Sequence, residues 1–238
     1  MKKKLLKLFA WIAGFIVIIA ILNTEVTTKQ GINYKIYTLK IPLYLKILDF
    51  LDRNYNYKEL VDRIINKDDN DEVRIMKIFN WTYQNIRKQP ESLPIIDDHV
   101  WYTIIRGYGG GEQSSDVFTT LCHYAGLNAF YSWISDRAHT HKIVLSFVKT
   151  NGRWVILDQF RGVYFKNKEG DLADIEEIKN VNYVIKDISG VRALDFDYKD
   201  YFANLPDIKD MGSSRGGIQS PLKRFIFEIK KMKGKKQK

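Results

Sequence analysis

The sequence predicts an α+β domain, with a central helix packed on an antiparallel sheet, behind an N-terminal transmembrane helix. Three observations carry that expectation. A glycine-rich turn, 107–111, runs straight into apolar residues at helical spacing, Val117, Leu121 and Tyr124. Downstream, residues 127–134, 142–148 and 153–157 are β-like, and Asn151-Gly152 between the last two is a strong hairpin signal. At the start, residues 8–22 form an uninterrupted apolar run behind Lys2, Lys3, Lys4 and Lys7.

With Leu5 and Leu6, that run approaches the roughly 18–20 residues needed to cross a bilayer. The flanking lysines should stay cytoplasmic, so everything after residue 23 is expected on the extracytoplasmic side of the cytoplasmic membrane, held by a single pass. Asn23-Thr24-Glu25 offers no small-x-small cleavage site, which favours an uncleaved anchor over a removed signal peptide. The expected organisation is residues 1–23 as cytoplasmic lysines and anchor, 24–41 as a stalk, 42–210 as the folded domain, and 211–238 as a linker and tail.

The net charge of +10 belongs to the ends. Four lysines precede the apolar run, and eight basic residues stand against one acidic residue over 220–238, so the body carries about −1. That removes the case for a nucleic-acid surface on the domain. One cysteine, Cys122, excludes an intramolecular disulfide.

In chain order, residues 24–41 alternate polar and apolar and could give an edge strand. From Pro42 the pattern is helical over 43–51 and again over 57–65. After the turn 67–70, Asp71 is a plausible N-cap for a helix over 72–87, with Ile75, Met76, Phe79, Tyr83 and Ile86 on one face. His99, beside Asp97 and Asp98, suits either a substrate contact or a cap. Residues 171–178 and 198–205 read as helices. Residues 212–217 have linker composition. From Pro221 the tail puts Leu222, Phe225, Ile226, Ile229 and Met232 on one side among lysines, a profile suited to anionic lipid or an acidic wall polymer.

The glycine turn should aim free backbone N–H groups and the positive end of a helix dipole at one spot. Gly126 sits where a left-handed residue would stop that helix. Glu112, Gln113, Ser114, Ser115 and the exit Gly126-Leu127-Asn128-Ala129, followed by His141, Asn151-Gly152, Trp154 and Asp158, resemble the transglutaminase-like superfamily of papain-like cysteine enzymes. The resemblance covers roughly residues 72–165. It implies a papain-like core in which a thiolate at the helix start, activated by a His that an Asp orients, attacks an amide. At the nucleophile's position this chain carries Gly111. Cys122 lies about 16 Å further along the helix axis and reads as a small buried apolar residue.

The resemblance therefore implies a relic site. His141 and Asp158 would form the old dyad, with Gly111 in the place of the missing thiol. Gly109, Gly110, Gln113, Trp154 and His99 would be ligand-binding, and a carboxylate-like anion would be held beside His141. The hairpin register bears on the dyad. A loop over 149–152 makes His141 the diagonal neighbour of Asp158, whereas a loop of Asn151-Gly152 alone moves Asp158 opposite Leu145, too far from His141. His139-x-His141 has metal-ligand spacing, but with no second thiol a zinc site is disfavoured. No cofactor is expected. The leading expectation is an inactive, membrane-anchored pseudoenzyme that binds a peptide, a protein or a cell-envelope polymer. The alternatives are an amidohydrolase or transamidase that uses Ser114 or Ser115 with His141 and Asp158, and a structural envelope module with no ligand site.

Overall fold

The computed structural model describes every residue except 1, 33–34, 94–97, 189–196, 207, 209–219, 221–222, 228 and 231–238. It is a mixed α+β structure in two compact units, Met1–Arg53 and Asn54–Lys238. The expected linker and much of the tail fall outside the described residues, although residues 223–227 are helical.

The first unit opens with α1 (Lys2–Leu22). Its apolar stretch, Lys3–Leu22, is long and apolar enough to cross a membrane, and none of it is buried in the protein. The expected stalk is more ordered than its alternation suggested. It is a hairpin of β1 (Glu25–Ile32) and β2 (Lys35–Pro42), in register from Glu25 opposite Pro42 to Ile32 opposite Lys35. Then α2 (Leu43–Ile64) runs unbroken through the stretch between the two predicted helices. Residues 52–56 are polar but contain neither Gly nor Pro, and the i,i+4 ion pair Asp49–Arg53 supports the turn leading into them.

In the second unit, α3 (Asp71–Asn85) is capped one residue earlier than expected, by Asn70, whose Oδ1 accepts from Val73 N at 2.9 Å. A short β3 (Arg87–Lys88) precedes α4 (Val100–Arg106), and β4 (Tyr108–Gly109) pairs parallel to β3. The central helix, α5 (Gly111–Tyr124), begins at the glycine turn as predicted, and Gly126 just beyond it has φ +86°. An antiparallel five-stranded sheet follows in simple order: β5 (Asn128–Ser135), β6 (Lys142–Thr150), β7 (Arg153–Asp158), β8 (Val163–Lys166) and β9 (Val184–Asp187). Two short helices, α6 (Ile175–Lys179) and α7 (Tyr198–Phe202), complete it.

Both sheet faces are covered, which explains why β6 reads as a nearly continuous apolar run. On one face Val148, Val155 and Leu157 pack with Val117, Phe118 and Leu121 of α5. On the other, Leu145, Phe147, Ile156 and Phe165 pack with Tyr198 and Phe202 of α7. This division by alternate residues decides what each strand can aim at the start of α5.

At the far end of α5, His123 Nε2 lies 2.9 Å from Ala129 O. Burial, then the positive charge of Lys223, depress its pKa to about 4, although the bond to Ala129 O works the other way. An unfolded chain takes up this proton near pH 6.5 and the folded one only near pH 4. Stability tied to His123 is therefore present above pH 6.5 and is lost as pH falls between those values. Urea unfolding at a series of pH values should show that loss, and His123→Gln should flatten it.

Candidate functional site

The start of α5 is built by glycine geometry and one glutamine. Gly107, with φ +72°, ends α4, and Gln89 N donates to Gly109 O at 3.0 Å. Gly110 is extended (φ −83°, ψ −178°) and caps α5. The Gln113 side chain folds back, its Oε1 accepting from Gly110 N at 2.9 Å. A Cβ on Gly109 would stand 2.9 Å from Gln113 Cβ, so the close approach needs glycine there. Gly109, Gly110 and Gln113, expected as ligand contacts, thus serve one another. An anion is further opposed by the Glu112 carboxylate, which accepts from Tyr131 OH at 3.2 Å.

Gly111 is different. Its φ is not positive, and a Cβ there would meet Phe160 at 3.7 Å and Val144 Cγ2 at 3.9 Å, ordinary packing distances. The side chains nearest a Cβ at this position are therefore apolar. Val144 is buried, and its cross-strand neighbour on β5, Trp133, is 51% exposed.

His141 and Asp158 are not brought together, which corrects the expected dyad. The hairpin turn contains Asn151 and Gly152 alone, with φ +49° and +79°, and Thr150 pairs with Arg153. That is the shorter of the two registers. The strand pairing places Ser146 opposite Leu157, which leaves Asp158 on the face turned away from α5. There it is fully buried. Its Oδ1 accepts from Arg161 N at 3.1 Å, and its Oδ2 from Arg161 Nη1 at 2.9 Å and Tyr198 OH at 2.8 Å. His141 precedes β6, with its side chain 78% exposed and its Nδ1 3.3 Å from Asp136 Oδ2. Asp136 organises that loop. Burial would raise its pKa, but hydrogen bonds from the Thr140 hydroxyl and from the amides of His141 and Thr140 outweigh this and hold it at about 2.

Gln159, not Asp158, shares the α5 face. It is fully buried and donates from Nε2 to Ser115 Oγ at 2.5 Å. Ser114 is equally buried, so neither serine presents a hydroxyl to solvent beside a histidine. Burial pushes the Cys122 thiol well up, in keeping with its expected role as a packed core residue.

The remaining expected contacts separate. His99 caps α4, its Nδ1 accepting from Trp101 N at 3.2 Å. Asp97 lies outside the described residues. Trp154 packs edge-on to Phe130 and lines a cleft of about 340 Å³ with Arg153, Asp174, Glu176, Lys179 and Ile208. Among the described residues no group of three or more His, Cys, Asp or Glu could hold a metal ion. Val144, Phe160 and Gln159 were missed by the sequence reading. The signal was available: counting back from an Asn-Gly turn with two residues puts 144 and 159, not 141 and 158, on the helix side.

No protein-family profile matches the sequence, and no curated protein matches it. Solved structures that share part of the chain path include a candidate cysteine protease from Cytophaga hutchinsonii. It is 16% identical with a TM-score of 0.39, over 56% of this chain and 46% of its own. A candidate protease from Parabacteroides distasonis is 14% identical with a TM-score of 0.37, over 56% of this chain and 35% of its own. A TGase is 12% identical with a TM-score of 0.35, over 56% of this chain and 43% of its own. This chain spans less than half the length of each, and a likeness at this level lends it neither substrate nor activity.

Proposed function

We propose that this protein is a membrane-anchored, extracytoplasmic domain with a transglutaminase-like core that has given up acyl transfer and binds a peptide or a cell-envelope polymer. The observation that carries the catalytic half is the set of side chains around the start of α5. On this reading Gly111 takes the place of the thiol, and the side chains nearest a Cβ there are Val144 and Phe160. A nucleophile needs a base within hydrogen-bond reach, and neither neighbour can accept a proton. Ser114 and Ser115, the alternative nucleophiles, are both buried, and Ser115 is already engaged by Gln159.

Labelling the purified chain with a fluorophosphonate probe tests this directly. No adduct is expected on Ser114 or Ser115. An adduct that Ser115→Ala abolishes would install a serine enzyme in place of the binding module. For the ligand, the cleft beside Trp154 offers a concave surface with an aromatic side chain and charged groups at its rim. Retention on a cell-wall preparation should be lost in Trp154→Ala. Unaltered retention, or none in the parent protein, would favour the structural envelope module.

The anchor half rests on the lysines in the first two turns of α1 and on the length and hydropathy of the helix. Protease added to intact cells or spheroplasts should digest the domain. Protection until lysis would reverse the topology.

A further inference from the structure

The N-terminal half of α2 carries an apolar face that is left exposed among the described residues. Tyr44, Leu45, Ile47, Leu48 and Leu51 are between 37% and 57% exposed. On a helical projection Ile47, Leu51, Tyr44 and Leu48 fall within an arc of about 100°, with Leu45 flanking it. The opposite side holds Lys46, whose Nζ donates to Thr27 O at 2.7 Å, and the Asp49–Arg53 ion pair. The helix is two-sided in character, and its apolar side is exposed like its polar one.

Its place in the chain says what covers it. Because β1 and β2 form a closed hairpin, the chain returns to where it left α1. Glu25 pairs with Pro42, and Leu43 N, the first residue of α2, donates to Thr24 O at 2.9 Å. Thr24 is only two residues beyond Leu22, the end of the membrane-length helix. The start of α2 is thus fixed at the height where that helix ends. In an anchored chain this is the membrane–water boundary, where an amphipathic helix buries its apolar face among headgroups and acyl chains and tyrosine is favoured.

We infer that the first half of α2 is an interfacial helix, lying on the extracytoplasmic leaflet with Tyr44, Ile47, Leu48 and Leu51 in the lipid. The inference rests on the anchor reading given above. The stretch 43–53 has two acidic and two basic residues, so its affinity comes from apolar burial and not from attraction to anionic lipid. The hairpin then acts as a brace that holds α1 and α2 at one corner.

The test uses the full chain in bilayer nanodiscs of phosphatidylethanolamine and phosphatidylglycerol, one copy per disc, with Cys122 replaced by Ala. An environment-sensitive fluorophore is attached at Leu48→Cys, Leu51→Cys, Asp49→Cys or Ile16→Cys. Nitroxides on the lipid acyl chains should quench the label at Leu48 and Leu51 about twofold or more over the label at Asp49, with Ile16 quenched strongly. Quenching at Ile16 alone would overturn the interfacial helix while leaving the anchor intact. No quenching at Ile16 would remove the anchor and this inference with it. Labels at Leu48 and Leu51 that are shielded from aqueous iodide only in discs holding two copies would overturn it in favour of a second chain.

Discussion

Gly111→Cys alone should produce a thiol whose reactivity does not change when His141 is replaced by Ala, whereas Gly111→Cys with Val144→His should produce an activated one. The reason is geometric. A Cβ at 111 would stand 3.9 Å from Val144 Cγ2, while His141 lies on the exposed loop and is held by Asp136. An imidazole at 144 would share the buried space above the helix start, and Gln159 Oε1, fully buried and without a hydrogen-bond partner among the described residues, is on the same face to orient it. Lowering a thiol pKa from about 8.5 to near 7 raises the thiolate at neutral pH from a few per cent to about half. Part of that gain is offset by lower intrinsic nucleophilicity, so alkylation by iodoacetamide should rise about three- to fourfold. Cys122 is buried and provides an internal slow reference. Gly111 has no positive φ, so the cysteine adds no backbone strain, and the histidine's extra volume costs roughly 1–3 kcal/mol. Circular dichroism and a melting curve should verify the fold first. A single Gly111→Cys variant that is already fast, and that slows with His141→Ala, would mean that β6 presents His141 to the helix and that the register above is wrong.

Much of the architecture was legible because it depends on local chemistry. The glycine turn, the start of α5, the Gly126 stop and the Asn151-Gly152 hairpin each follow from backbone preferences of a few residues. The dyad was not legible, because it depends on parity. In a strand one residue of register carries every side chain to the opposite face. The motif-like order of His141 and Asp158 is indifferent to that, and the tight turn sends both away from α5. The merging of two predicted helices into α2 was hidden because a polar stretch without Gly or Pro does not by itself end a helix. Strands β8 and β9 gave weak signals, being four residues each and bordered by turns. The hairpin after α1 was foreshadowed only as alternation, since its pairing is set by the return of the chain to Thr24.

Asp158→Ala should be among the most damaging single substitutions in the domain, for a reason that has nothing to do with chemistry at Gly111. The carboxylate is fully buried and receives the Arg161 amide, the Arg161 guanidinium and the Tyr198 hydroxyl. Removing it takes a buried charged acceptor away from a guanidinium and two further donors. Breaking a buried pair in this way costs about 3–5 kcal/mol, and the lower end applies because Arg161 keeps partial contact with water. For a domain of this size a loss of about 3 kcal/mol corresponds to roughly 6–12 °C in melting temperature. Tyr198→Phe removes one hydrogen bond to a charged acceptor and should cost about 1.5–3 kcal/mol. His141→Ala, at a side chain 78% exposed, should change stability by under about 1 kcal/mol. A pair of double-mutant cycles separates the two pictures. Asp158 and Tyr198 should couple by about 1 kcal/mol or more, and Asp158 and His141 by close to zero. Coupling between Asp158 and His141 of comparable size would restore the dyad that the strand register takes apart.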